Sequence, residues 1–341
     1  MKQPSFERPK PKVVGTASPE RKKEVQKLIL GRFGEGHLQQ LDEEKRKILD
    51  ALEYEKKSHE KLAAEQANEL TNQFLRGLGL TPFDVLEQNI HILPGNLYEE
   101  FDDPPHIAVT FQKEQSIIIN AERAQDPLMR CSVILHEIVH LKNFLIIEAS
   151  GEDWDTYRGG LQVSSTSKRE KETGPYTAFR GLNEAVVAEI EKRYLPDLVE
   201  ANPLLKEKYQ LASALQPPLS KEELARWESI DPKEIIWVSK DRTEAVHFAY
   251  SEQRKVLHFI IDQIYKDNQD RFSNREEVLR LFFASHFTGR LTELAKLVNG
   301  TFGDGSFRTL GFLDRDANSA HLVMNHLKLN YRRKRSKRAG N

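Results

Sequence analysis

Apolar residues are spread unevenly along the chain, and their spacing changes character several times. Residues 18–77 are strongly charged, with Leu38, Leu41, Ile48 and Leu52 recurring at helical spacing. The same frame then meets Glu55 and His59, so the pattern predicts two amphipathic helices, or one with a narrow apolar stripe, rather than a sustained coiled coil. From residue 77 to 120 the texture shifts to short β-branched runs broken by Pro and Gly. Strands are expected at 90–93, 107–111 and 116–120, the last two joined across the polar residues 112–115 as a hairpin. Asp126-Pro127 supplies an N-cap followed by proline in the first helical position. A helix should follow, running to about Glu148.

Further on, residues 154–163 read as a strand or hairpin arm kinked at Gly159-Gly160, and residues 164–173 as a charged loop. A second helix is expected to start near Leu182 or Asn183 and to stop before Pro196. The remainder is mainly helical: Leu257, Ile260, Ile261 and Ile264 mark one apolar stripe, and Ser273 with Glu276 forms a capping-box signature before a helix at 278–287. Residues 299–306 are glycine-rich but lack the Lys-Ser/Thr of a phosphate loop, so a turn between helices is expected there. No internal repeat is visible.

Composition narrows the class of function. Lys and Arg (51) balance Asp and Glu (52), for a formal charge of −1, so no global field draws the protein to nucleic acid or to an acidic membrane. Any such attraction is local, and the one concentrated basic segment is 332–338, Arg-Arg-Lys-Arg-Ser-Lys-Arg. It is read as a solvated tail and as the only place where nucleic acid could bind. The N-terminal residues carry no apolar core of a signal peptide, and no run of 18 apolar residues occurs, so neither export nor membrane spanning is expected. One cysteine, Cys131, excludes an intramolecular disulfide and a thiolate zinc cage. A cytoplasmic protein is the expectation.

The chemistry is concentrated at His136-Glu137-Ile138-Val139-His140. Histidines at i and i+4 stand one turn apart on one helical face, close enough for both to bind one Zn2+. Glu137 lies about 100° round the helix, placed to reach a metal-held water without being a ligand. The neighbours Ile134, Leu135, Val139 and Leu141 draw these three ionisable groups into an apolar interior, and a divalent cation would satisfy them together. Catalytic zinc sites use three protein ligands and keep the fourth position open. The third ligand is expected at Glu184, which opens a helix otherwise rich in Ala and Val; Glu189 is the second choice.

His136-Glu137-x-x-His140 followed by Asn183-Glu184-Ala185 resembles the gluzincin group of zinc metallopeptidases, over roughly residues 90–195. The resemblance implies zinc, one per chain, on His136, His140 and Glu184, with Glu137 as general base and peptide-bond hydrolysis as the activity. Many gluzincins place an acid four residues after the ligand glutamate to orient a histidine. Here that position is Ala188, and the partner of the histidines is unassigned. By analogy of position Tyr176 is the first choice for the oxyanion donor, with Tyr157, Arg180 and His247 as alternatives.

The expected fold is therefore α+β and helix-dominated, with a zincin-like catalytic region whose small β-sheet packs on the metal-binding helix. The expected division is a flexible arm at 1–18, a charged helical region at 19–80, the catalytic domain at 81–200, a helical domain at 201–331 and the basic tail at 332–341. The expected partner is a peptide or protein substrate, the cleft being covered by the 164–173 loop or by the N-terminal helices. The competing expectations are a zinc-binding scaffold without turnover and an interaction protein acting through its charged helices and basic tail.

Overall fold

The structure is a computed structural model, which describes residues 10–35, 47, 51–101, 106–165, 176–213, 223, 226, 234–238 and 245–339. In chain order its elements are β1 (Lys12–Val14), α1 (Pro19–Glu35), α2 (Ser58–Gly77), β2 (Ile90–Leu93), β3 (Ala108–Phe111), β4 (Ser116–Asn120), α3 (Pro127–Leu141), β5 (Leu145–Ser150), β6 (Asp153–Gly159), β7 (Gln162–Ser165) and β8 (Tyr176–Ala178). There follow α4 (Arg180–Glu200), α5 (Pro203–Ser213), β9 (Ile235–Val238), β10 (Ala245–His247), α6 (Ser251–Asp267), α7 (Arg275–Thr288), α8 (Thr292–Phe302) and α9 (Ala317–Ala339), with single turns of helix between some of them. At 60% helix and 15% strand the fold is α+β and dominated by helix, as the periodicities predict. Among the described residues no helix is long and apolar enough to cross a membrane.

The described residues fall into two compact units, one built on Lys27–Lys142 and Glu191–Ala249, the other on Pro11–Gln26, Asn143–Ile190 and Tyr250–Asn341. Helix α4 is continuous through the boundary at Ile190.

In the first unit, β2 and β4 run parallel, and β3 and β4 form the expected antiparallel hairpin, so that the order β2-β4-β3 leaves β3 at an edge. The hairpin turn closes through Gln115 in the left-handed region (φ 58°), and its carbonyl accepts a hydrogen bond from the buried Asn89 side chain at 2.9 Å. All of β2 and β4 is buried, which explains the unbroken run of Ile117, Ile118 and Ile119 in β4, while β2 buries His91 among its apolar residues. Helix α3 packs against β3, β4 and α2. It starts as predicted, with the Asp126 side chain accepting from Leu128 N at 2.8 Å and Pro127 in the first turn.

Two buried polar anchors join α2 to α3. Arg130 donates to Glu60 at 2.6 Å, and Lys142 donates to Asn72 Oδ1 at 2.8 Å and to the Asn68 carbonyl at 3.1 Å. Burial pushes the Lys142 ammonium down to about 7.

In the second unit, the five-stranded order is β1-β5-β6-β7-β8, with β1 parallel to β5 and the other pairs antiparallel. Gly160 makes the turn between β6 and β7 with φ 58°, and a Cβ there would stand 2.5 Å from His286 Nδ1. Asn183 at the start of α4 closes this arrangement: its Oδ1 accepts from Leu161 N at 2.9 Å and lies 3.1 Å from His286 Nδ1. Helix α6 packs against α7, α8 and α9 through the predicted stripe Leu257, Ile260, Ile261 and Ile264, all buried.

Several sequence expectations are corrected. Helix α3 ends at Leu141 rather than near Glu148, because residues 145–150 alternate buried with partly or fully exposed and pair with both β1 and β6. Lys12–Val14, expected within a flexible arm, is the edge strand of that sheet. Helix α4 does not stop before Pro196 but carries it inside and continues to Glu200. The cap of α7 is one residue later than predicted, with Asn274 accepting from Glu277 N at 3.0 Å and Glu277 accepting from Ser273 N at 2.8 Å. The basic run from Arg332 continues α9 to Ala339, and Lys334 turns back to the carbonyls of Asn299 and Gly300 near the end of α8. The stripe expected at 38–52 lies almost wholly, and the loop expected at 164–173 from residue 166 on, outside the described residues.

Candidate metal centre

The chemistry-bearing residues stand on two helices, α3 and α4. On α3, His136, Glu137 and His140 are 8%, 8% and 9% exposed, so the apolar setting inferred from their neighbours is real. The one-turn spacing brings the two Nε2 atoms to 3.2 Å from each other. Two nitrogens bound at about 2.0–2.1 Å to a tetrahedral zinc would stand roughly 3.3 Å apart. The imidazole pair is thus already spaced for a shared ion.

His136 is oriented by Glu191 of α4, whose Oε2 lies 2.9 Å from Nδ1. A carboxylate only accepts, so Nδ1 carries the proton and Nε2 presents its lone pair. The other Glu191 oxygen accepts from Ser132 Oγ, one turn before His136 on α3. Glu191 is itself buried, at 5% exposed, so this bond sits where water does not compete with it.

Glu184 lies seven residues before Glu191. Seven residues are within about 20° of two full helical turns, so both carboxylates share one face of α4. Glu184 is 2% exposed. One ligating atom from each of His136, His140 and Glu184 lies within 4.8 Å of the others, close enough for a single metal ion to reach all three. The donor set of two imidazoles and a carboxylate suits a borderline cation such as zinc. Arg315 Nη2 donates to Glu184 Oε1 at 2.6 Å.

Glu137 is held from the sheet: Thr110 Oγ1, on the edge strand β3, donates to its Oε2 at 2.5 Å. Gln112, in the hairpin turn, donates to the His140 carbonyl at 2.6 Å. The hairpin therefore grips α3 at Glu137 and His140.

The second choice for third ligand, Glu189, is taken up elsewhere. Its Oε1 accepts from Arg254 Nε at 2.6 Å and lies 2.9 Å from His258 Nε2. Burial works to raise its pKa, yet the His258 hydrogen bond and the Arg254 charge outweigh that and bring it down to about 2. Tyr176 opens β8 opposite Ser165, and its side chain is outside the described residues. Tyr157 lies within β6, Arg180 Nε is 3.9 Å from Asp314 Oδ1, and His247 Nδ1 is 3.1 Å from the Phe248 carbonyl.

Five contributors escaped the sequence reading: Thr110, Gln112, Ser132, Glu191 and Arg315. Ser132 and Glu191 had a usable signal, since they stand four residues before His136 and seven after Glu184 on the same helical faces. Arg315 is 131 residues from its partner and had none. None of the protein-family models, curated proteins or solved structures compared with the chain matches it.

Proposed function

We propose that this protein is a zinc-dependent metallopeptidase of the gluzincin type, with one zinc per chain on His136, His140 and Glu184. The observation that carries the reading is the convergence of these three buried donors beside a glutamate that is held by a separate hydrogen bond from β3. When bound, zinc supplies a Lewis acid that lowers the pKa of water and polarises a carbonyl oxygen. Glu137, aimed by Thr110, takes a proton from the attacking water and passes it to the leaving amine nitrogen as the C–N bond breaks. Glu191 keeps His136 in the tautomer that ligation needs.

Tyr176 is the donor we propose for the oxyanion. The substrate class we propose is an extended peptide or protein segment, because β3 ends its sheet and packs beside α3, where an added strand would lie along the motif. The compartment we propose is the cytoplasm, on the single thiol Cys131, which burial keeps protonated.

The test compares wild type with Glu137→Gln. Both should hold one zinc per chain, while the variant loses about 10²–10⁴-fold in cleavage of a peptide library. Zinc with no cleavage by the wild type would leave a metal-binding scaffold instead.

A further inference from the structure

Glu184 does more than point at the histidines: one of its oxygens is already claimed by Arg315, and the surrounding structure is built to put that guanidinium there. Arg315 sits in the segment between the last single turn and α9, which approaches the start of α4 as closely as backbone allows. Gly181 N donates to the Leu313 carbonyl at 2.7 Å, and a Cβ on Gly181 would stand 2.3 Å from the Asp314 carbonyl oxygen. Only glycine permits that approach.

The two carbonyls flanking Arg315, those of Asp314 and Asp316, both accept from the buried Gln253 amide, at 2.9 and 3.0 Å. Ser319 adds hydrogen bonds to the same two residues. The Arg315 guanidinium lies 6.0 Å from the centre of the Tyr250 ring. An arginine that would otherwise sample many rotamers is thus presented from a fixed backbone, and little further ordering is needed to hold its bond. Nor is this an ordinary surface pair, which would be worth little, because the carboxylate it holds is 2% exposed.

We propose that Arg315 is a positioning residue of the metal centre: by holding Oε1 of Glu184 it restricts that carboxylate to ligation through one oxygen and keeps a coordination position open. The inference rests on the metal reading above. The chemistry is a matter of counting. Two imidazoles and a carboxylate binding through both oxygens fill four positions, so that water or substrate can enter only as a crowded fifth ligand. The same set with the carboxylate binding through one oxygen fills three and leaves the fourth for water or substrate. A guanidinium on Oε1 makes the second arrangement the stable one, since turning both oxygens to the metal would break a charge-assisted hydrogen bond at a buried group.

The test uses the full chain with Co2+ in place of zinc, read by its visible spectrum, where four-coordinate tetrahedral Co2+ absorbs far more strongly than five- or six-coordinate Co2+. Wild type, with one carboxylate oxygen, one water and two imidazoles, should give intense bands at one cobalt per chain. Arg315→Met should still bind one cobalt but with bands weakened severalfold and shifted, as both oxygens and water crowd the ion. Arg315→Lys, which restores one donor, should recover most of the wild-type intensity. Gln253→Leu, which leaves Arg315 in place but frees its backbone, should move the spectrum in the same direction as Arg315→Met by a smaller amount. A folded Arg315→Met protein whose spectrum superimposes on wild type, or one that no longer holds cobalt, would overturn the proposal. Should Arg315→Met not fold, identical spectra for Gln253→Leu and wild type would overturn it equally. Wild type that takes up no cobalt would instead sink the metal centre, a separate failure.

Discussion

Two of the three buried carboxylates on helix α4, Glu184 and Glu189, meet their surroundings in opposite ways. Glu189 Oε1 is shared by a guanidinium and an imidazole, Arg254 and His258, both from α6. Its charge is neutralised within the second unit, and the low pKa is the mark of that. Glu184 accepts from the Arg315 guanidinium through Oε1, and it stands near two imidazole nitrogens that a cation could share. The two share a helix, a residue type and nearly the same burial, yet among the described residues it is Glu184 that groups with His136 and His140 where one cation could reach all three.

The comparison can be broken most forcefully at Glu189. Glu189→Gln removes the carboxylate charge that pairs with Nε of Arg254, a cation only 3% exposed. The cost should be about 3–5 kcal/mol of folding stability, seen as a lower denaturant midpoint, with zinc content unchanged. Zinc loss in a folded Glu189→Gln protein would erase the distinction. The pH dependence sharpens it. Because the Glu189 pKa is lowered from its ordinary 4.5 to about 2 on folding, its stabilisation is complete above about pH 5 and is lost as pH falls toward 2. The loss is on the order of 3 kcal/mol, and Glu189→Gln should show a correspondingly shallower acid limb in pH-dependent unfolding.

Glu184→Ala should do the converse, costing about 2.5–4 kcal/mol of zinc affinity, a quarter of the roughly 10–16 kcal/mol of a four-ligand site. A competing chelator reads this directly. Glu191→Gln comes next: it keeps the shape but weakens the acceptor on His136, and zinc affinity should fall about 10–100-fold. Thr110→Val is the smallest change. Losing one hydrogen bond to the Glu137 carboxylate should lower kcat by roughly tenfold, about 1.5 kcal/mol, with zinc retained and KM unchanged. A rise in KM alone would move Thr110 from aiming the base to binding substrate.

How much of this was legible depended on whether the cause was local. The start of α3 was readable because Asp126 and Pro127 act on the helix they begin. The strand β4 was readable because burial on both faces writes itself as the unbroken apolar run of Ile117, Ile118 and Ile119, and β2 because its β-branched residues are bounded by Pro94-Gly95. The end of α3 was not, because Leu145, Ile146 and Ile147 form a short continuous apolar run, which periodicity alone cannot assign to helix or strand. Only pairing with Lys12–Val14 and with β6, at long range, decides the matter. The tolerance of Pro196 inside α4 was equally invisible, since propensity alone ends a helix there.

The metal centre divides along the same line. His136, Glu137 and His140 were legible from one turn of helix, and Glu184 from its place in an apolar segment. Asn183 carried the resemblance as part of the Asn183-Glu184-Ala185 motif, and in the structure it holds the Gly160 turn and His286 in place. Glu191 was hidden in plain spacing, two turns beyond Glu184. Arg315 was beyond reach, because a chain segment 131 residues away arrives beside Glu184 only through the glycine at 181 and the glutamine at 253.

The central claim is that three side chains from two helices hold one metal ion. The direct measurement is the zinc content of chelator-stripped protein after reconstitution and removal of loosely bound metal, for wild type, Glu184→Ala and Glu189→Gln side by side. The account predicts one zinc per chain for wild type and for Glu189→Gln, and a marked deficit for Glu184→Ala. Wild type without zinc, or Glu184→Ala as fully loaded as wild type, would contradict it.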